Sequence, residues 1–130
     1  MRAQATLESL VVLTASAMFL AILAPSYKSA FKISFLARQE SAAMSAAETL
    51  SSAVGFVQAG GEGSESSGAV LIPSQASVVS QGDWLALRVT ESGNAVDYPI
   101  GSGCQLLGGC SGNCSFRAYH DPGGCYLDLH

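Results

Sequence analysis

The chain has 130 residues, of which 48% are hydrophobic and 12% are charged, and its formal net charge is −4. This length allows one domain, or one long element with a small head. The acidic balance and the lack of a basic run argue against nucleic acid as a partner. The apolar residues are unevenly distributed: residues 7–24 contain one charge, Glu8, whereas residues 51–68 are rich in glycine, serine and glutamate.

The apolar run over residues 7–24 has three interpretations. It is long enough, at the short end of the range, to cross a membrane as a helix. A cleaved secretory signal is the second, although the run exceeds a normal signal core and Glu8 stands where positive residues belong. The third is a helix that lies first in the membrane and then in the core of a polymer. A carboxylate in lipid is costly, so Glu8 requires a functional reason.

A short motif surrounds this carboxylate. Residues 1–3 are followed by Gln4, Thr6, Glu8 and Val12. The arrangement resembles the start of archaeal type IV pilins, whose short leader precedes the pattern Gln-x-Ser-x-Glu-x-x-x-Leu. Gln4 and Glu8 are identical to the pattern, and Thr6 and Val12 are conservative replacements. The resemblance covers roughly the first quarter of the chain.

The resemblance implies a processing and assembly route. A prepilin peptidase would cut between Ala3 and Gln4, so that residues 1–3 are the leader. An assembly ATPase and a membrane platform protein would then add the subunit to a filament. The chain would lie in the cytoplasmic membrane before assembly. Afterwards it would lie at the cell surface, in an extracellular helical polymer of its own copies.

The same resemblance gives Gln4 and Glu8 a role in assembly. An amine freed at Gln4 is mostly cationic near neutral pH. Glu8 would lie about one helical turn away, within reach of this amine or that of a neighbouring copy. Such pili usually serve adhesion. Archaellins share the plan of a helix with a β-rich head and serve motility, but their usual Gly-Ile-Gly-like stretch is missing here.

We predict that the helix covers residues 4–59, about 84 Å. Pro25 removes one backbone hydrogen bond and should kink it. Aromatic residues recur at a spacing of four, which places them on one face for packing between helices. The small residues of 41–53 would let helix backbones approach closely. Gly60-Gly61 ends the helix. The predicted helix-packing residues are Phe19, Tyr27, Phe31 and Phe35.

A polar linker over residues 60–68 leads to a head over residues 69–130. Residues 84–90 and 95–100 flank a turn and predict a β-hairpin. The predicted fold class is therefore α+β, a long N-terminal helix followed by a small antiparallel meander that packs on the upper helix. The predicted strands are 69–72, 76–80, 84–90, 95–100, 115–120 and 126–130.

Four cysteines lie in the last 27 residues: Cys104, Cys110, Cys114 and Cys125. An even number clustered in a small exported head favours two disulfides, and three pairings are possible. A zinc site with His120 or His130 is the competing interpretation, but the spacings do not form the paired clusters typical of structural zinc. We therefore predict disulfides, with no metal and no cofactor.

Other motifs add little chemistry. Asn113-Cys114-Ser115 fits the acceptor pattern for N-glycosylation, which makes Asn113 a candidate site. The sequence has no nucleophile elbow, phosphate loop or metal-binding helix motif, so we expect no enzymatic activity.

Two functions fit the pattern: a structural subunit of an extracellular filament, and a membrane-anchored surface protein with a disulfide-rich binding head. Glu8 separates them, because a filament has a use for it and an anchor does not.

Overall fold

The computed structural model describes residues 2–91 and 93–130, with side chains from Thr6 onward. It divides into two compact units, one up to Arg38 and one from Gln39. Helix α1 (Arg2–Gly60) supplies the first unit and residues 39–60 of the second. Among the described residues, seven strands complete the second unit: β1 (Glu65–Ile72), β2 (Ala76–Gln81), β3 (Trp84–Glu91), β4 (Asn94–Ser102), β5 (Cys104–Gly108), β6 (Gly112–Asp121) and β7 (Gly124–Leu129). The predicted α+β class is confirmed.

The C-terminus of α1 lies one residue beyond the predicted end at 59. Gly61 has φ 70°, a left-handed conformation that glycine adopts without steric cost. Its N–H donates to the Val57 carbonyl at 3.1 Å, and the Ser64 hydroxyl donates to the same carbonyl at 2.7 Å. Within its length, α1 continues through Pro25 without a break. The kink there stays a prediction.

In the second unit, α1 buries one face against the sheets. The buried positions recur every three or four residues, the spacing of an amphipathic helix. They are Ala43, Ala46, Ala47, Leu50, Ala53, Val54 and Val57. We predicted that the small residues of this stretch would bring neighbouring helices together. For the buried alanines this is wrong, because their side chains lie in the core that α1 shares with its own strands.

The strands form two sheets rather than one meander. A three-stranded sheet has the order β2-β3-β4, and a four-stranded sheet has the order β1-β6-β7-β5. The predicted hairpin is confirmed as β3 and β4, with Arg88 opposite Asp97. A bulge at Leu85 and Ala86 leaves Ile100 as the extra residue of β4, and that side chain is buried.

Two features of the four-stranded sheet differ from the prediction. Strand β1 begins at Glu65, inside the predicted linker of residues 60–68, because its polar residues pair with β6 and remain largely exposed. Strand β5 was not predicted, and it pairs in parallel with β7. A five-residue segment between glycines shows little alternation of apolar and polar residues, so the sequence gives a weak strand signal. Its pairing with a parallel partner depends on long-range packing.

The prediction of two disulfides is confirmed, and the structure gives the pairing that the sequence left open. Cys104 and Cys125 are register partners on β5 and β7, with Cα atoms 4.4 Å apart. Cys110 and Cys114 close the connection between β5 and β6, with Cα atoms 6.0 Å apart. Because all four sulfurs are bonded, none is available as a zinc thiolate.

The two disulfides should contribute unequally to stability. The sequence separations are 21 and 4, so the chain-entropy model assigns about 3 kcal/mol to Cys104–Cys125 and about 2 kcal/mol to Cys110–Cys114. We expect Cys104→Ala/Cys125→Ala to lower the free energy of unfolding more than Cys110→Ala/Cys114→Ala does. Urea titration of the full chain in detergent, followed by near-ultraviolet circular dichroism, measures both. Equal losses, or the reverse order, would contradict the entropic account.

Candidate assembly surface on the N-terminal helix

The first unit exposes its apolar side chains. The exposed large apolar residues between Leu7 and Phe35 have exposed fractions of 45% to 76%. Between Thr6 and Gly60, α1 is long and apolar enough to cross a membrane by length and composition, and none of its most apolar 18-residue window is buried. Exposed apolar surface of this extent marks a site of interaction with protein or membrane.

Four hydroxyl groups in this segment donate to the helix backbone itself. The Thr14 hydroxyl lies 3.0 Å from the carbonyls of Leu10 and Val11, and the Ser16 hydroxyl lies 2.8 Å from the Val12 carbonyl. Ser29 and Ser34 make equivalent contacts one turn back along the helix. Such bonds lower the cost of moving a hydroxyl out of water. The polar residues are therefore compatible with burial of this helix in lipid or protein.

Glu8 lies in this apolar segment, one helical turn after Gln4. It is the only charged residue between Arg2 and Lys28 in the sequence. Its side chain is exposed on α1. The side chains of Ala3 and Gln4, the predicted processing site, lie outside the part that the structure describes. The contact between Glu8 and an amine at Gln4 therefore stays a prediction.

The predicted aromatic residues are all exposed on α1. Phe19, Tyr27, Phe31 and Phe35 are 63%, 76%, 65% and 50% exposed. Tyr27, Phe31 and Phe35 follow one another at a spacing of four, so they share a face. Lys28 and Lys32 have the same spacing and border that face. We name Tyr27, Lys28, Phe31, Lys32 and Phe35 the basic-aromatic stripe.

The remaining candidate residues lie in the head. Asn113 is exposed on β6, opposite Leu71 of β1, while its neighbour Cys114 is buried in a disulfide. Exposure suits a glycan acceptor, and occupancy stays a prediction. His130 Nδ1 lies 3.7 Å from an Asp128 carboxylate oxygen. In residues 6–91 and 93–130, no three His, Cys, Asp or Glu side chains are grouped to hold a metal ion.

Both arginines of the second unit are held by carboxylates across strands. Arg88 contacts the two Asp97 oxygens at 2.7 Å each, and Arg117 contacts the two Glu65 oxygens at 2.8 and 2.9 Å. Hydrogen bonds from these guanidinium groups lower the pKa of Asp97 and of Glu65 below their ordinary values. Both guanidinium groups are therefore already paired with carboxylates of the head.

Sequence reasoning missed a groove between α1 and β4. We name it the Met44 groove, and its lining residues are Met44, Ala47, Glu48, Ser51, Ser52, Tyr98 and Pro99. Burial, and then the nearby Glu40 carboxylate that accepts a hydrogen bond from the Tyr98 hydroxyl, raises the pKa of Tyr98. The available signal was the spacing of Glu40, Met44 and Glu48, four residues apart on one helix face. The pairing with β4 was not visible in that spacing.

No protein-family model, curated protein or solved structure matches this chain. The resemblance to archaeal type IV pilins therefore depends on the residues around Glu8.

The arginine pairs predict an acid dependence of head stability. Because the pKa of Glu65 and of Asp97 is lower in the folded state, the pairs contribute stability above about pH 4. That contribution is lost as the pH falls through the folded-state pKa. In the wild type, the urea concentration at the midpoint of unfolding should fall between pH 5 and pH 2. We expect this fall to be smaller in Arg117→Gln and in Arg88→Gln. Arg38→Gln, outside the head, is the matched control, and superimposable acid profiles for all variants would refute the assignment.

Proposed function

We propose that this protein is a structural subunit of an extracellular filament that resembles an archaeal type IV pilus, with adhesion as its role. The N-terminal helices of many copies would form the core, and the disulfide-bonded heads would form the outer layer. The observation that carries this proposal is the exposed apolar surface from Leu7 to Phe35 with the single carboxylate of Glu8 inside it.

A filament core and a membrane both remove this surface from water. The filament gives Glu8 a partner from outside its own chain, because a neighbouring copy can supply the amine of a processed Gln4. A carboxylate left unpaired in such surroundings typically costs about 3–5 kcal/mol. Pairing would therefore favour addition of the subunit to the polymer over its retention in lipid. The family resemblance supplies the same pairing, together with the peptidase, the ATPase and the platform protein.

The head supports an extracellular location. Disulfides form and persist in oxidising compartments outside the cytoplasm. Both pairs lie in the last part of the chain, far in sequence from the apolar segment. This arrangement is expected of a subunit whose helix starts in the cytoplasmic membrane and whose head folds outside. We propose no enzymatic role.

A single-span anchor is the second candidate, and the membrane-length apolar helix favours it. In that case the helix would remain in lipid and the head would bind a partner as a monomer. The two candidates differ in the state of the N-terminus. Intact mass and N-terminal sequencing of material sheared from cells separate them. A chain that begins at Gln4 supports the filament, and a chain that retains Met1 and occurs only in membranes supports the anchor.

Glu8 gives a direct test by substitution. Glu8→Gln keeps the size of the side chain and removes its charge, so the attraction to a neighbouring amine is lost. We expect at least a tenfold loss of chain in the sheared fraction, since each 1.4 kcal/mol corresponds to a factor of ten. The membrane fraction should retain the variant.

The matched control for Glu8→Gln is Glu62→Gln, which makes the same change at an exposed carboxylate after α1. It should shear like the wild type. Normal filament yield from Glu8→Gln would remove the main support for polymerisation.

A further inference from the structure

Charge is divided sharply between the two units. The segment 1–38 has four basic residues and one acidic residue, a formal charge of +3. The segment 39–130 has two basic and nine acidic residues, a formal charge of −7, and the two values sum to the −4 of the chain. Opposite charges on two parts of one subunit favour contact between copies, because each copy offers both partners.

The acidic charge of the second unit has no basic residue left to neutralise it. Arg88 and Arg117 are its only arginine or lysine residues in the sequence, and each is bound by both oxygens of a carboxylate. Glu40 and Glu48 lie on the exposed side of α1 at either side of Met44, which is 48% exposed. On this side of the Met44 groove, the exposed Met44 side chain therefore lies between two carboxylates.

The basic-aromatic stripe of the first unit has the complementary composition. Lys28 and Lys32 border exposed aromatic rings, and the ion pairs of residues 6–91 and 93–130 do not include either lysine. An aromatic ring packs favourably against a methionine sulfur. The stripe thus offers cations and rings where the groove offers carboxylates and a thioether.

We infer that the Met44 groove of one copy receives the basic-aromatic stripe of a second copy, with Lys28 directed to Glu40, Phe31 to Met44, and Lys32 to Glu48. This inference rests on the proposed filament and names a contact within it. It goes beyond the Glu8 contact, because it joins the first unit of one copy to the second unit of a neighbouring copy. It also sets the register between copies, because a shift along the helix would move the two lysines away from the two carboxylates.

The spacings allow this register for two parallel helices. Lys28 and Lys32 are separated by about 6 Å along the helix, and Glu40 and Glu48 by about 12 Å. The flexible four-carbon stems of the lysines span the difference, about 3 Å at each end.

Charge reversal tests the contact in the full chain. The first variant is Lys28→Glu/Lys32→Glu, in which stripe and groove are both acidic. The second is Glu40→Lys/Glu48→Lys, in which both are basic. We expect each variant alone to give at least tenfold less sheared filament than the wild type. Co-expression should restore filaments that contain both variants, because each stripe then finds an oppositely charged groove.

Two controls keep the result interpretable. Glu62→Lys/Glu91→Lys makes the same charge change at exposed carboxylates outside the groove, and it should assemble like the wild type. Each variant should also have no reactive thiol under denaturing conditions, which shows that both disulfides formed. If one groove or stripe variant fails this thiol assay, Glu40→Gln/Glu48→Gln or Lys28→Gln/Lys32→Gln replaces it, with the same loss expected alone.

The outcomes separate the inference from the proposed function. Wild-type filaments with normal assembly of either reversal variant would overturn the inference and leave the filament intact. Loss in both variants without recovery on co-expression would also overturn it. Absence of wild-type filaments would reject the proposed function, and the inference with it.

Discussion

The structure depends on one constraint, which is that the apolar surface of α1 from Leu7 to Phe35 must be removed from water. At about 1.5–3 kcal/mol for each large side chain, this surface represents tens of kcal/mol. The whole stability of a typical domain is about 5–15 kcal/mol. The first unit buries almost none of this surface itself. Lipid or protein can cover this surface, and both proposed functions meet this requirement.

The second unit buries its own apolar core. Its part of α1 is lined with alanine and valine on the buried side, and these short side chains let the sheets approach. Gly101 shows how close the approach is, because a Cβ atom there would lie 3.0 Å from Val54 Cγ1. A small head has little core, and two disulfides add to it. The second unit therefore closes its own core, to which residues 39–60 of α1 contribute.

Sequence reasoning predicted the features that local pattern determines. The helix end at Gly60-Gly61, the hairpin of β3 and β4, and the disulfide state of the cysteines all follow from spacing, turn residues and composition. It did not predict β5 or the start of β1, because Cys104–Gly108 and Glu65–Ile72 become strands through partners distant in sequence. The pairing of cysteines was open for the same reason. For the candidate site, Glu8 and the aromatic spacing were visible, whereas the contact of Glu40 with Tyr98 requires the packing of α1 on β4.

The most direct test of the account is helical reconstruction by electron cryomicroscopy of material sheared from the cell surface. The account predicts a polymer of this chain in which the helices from Leu7 to Phe35 pack around the axis and the heads lie outside. A surface fraction without polymer, with the chain confined to membranes as separate copies, would contradict it.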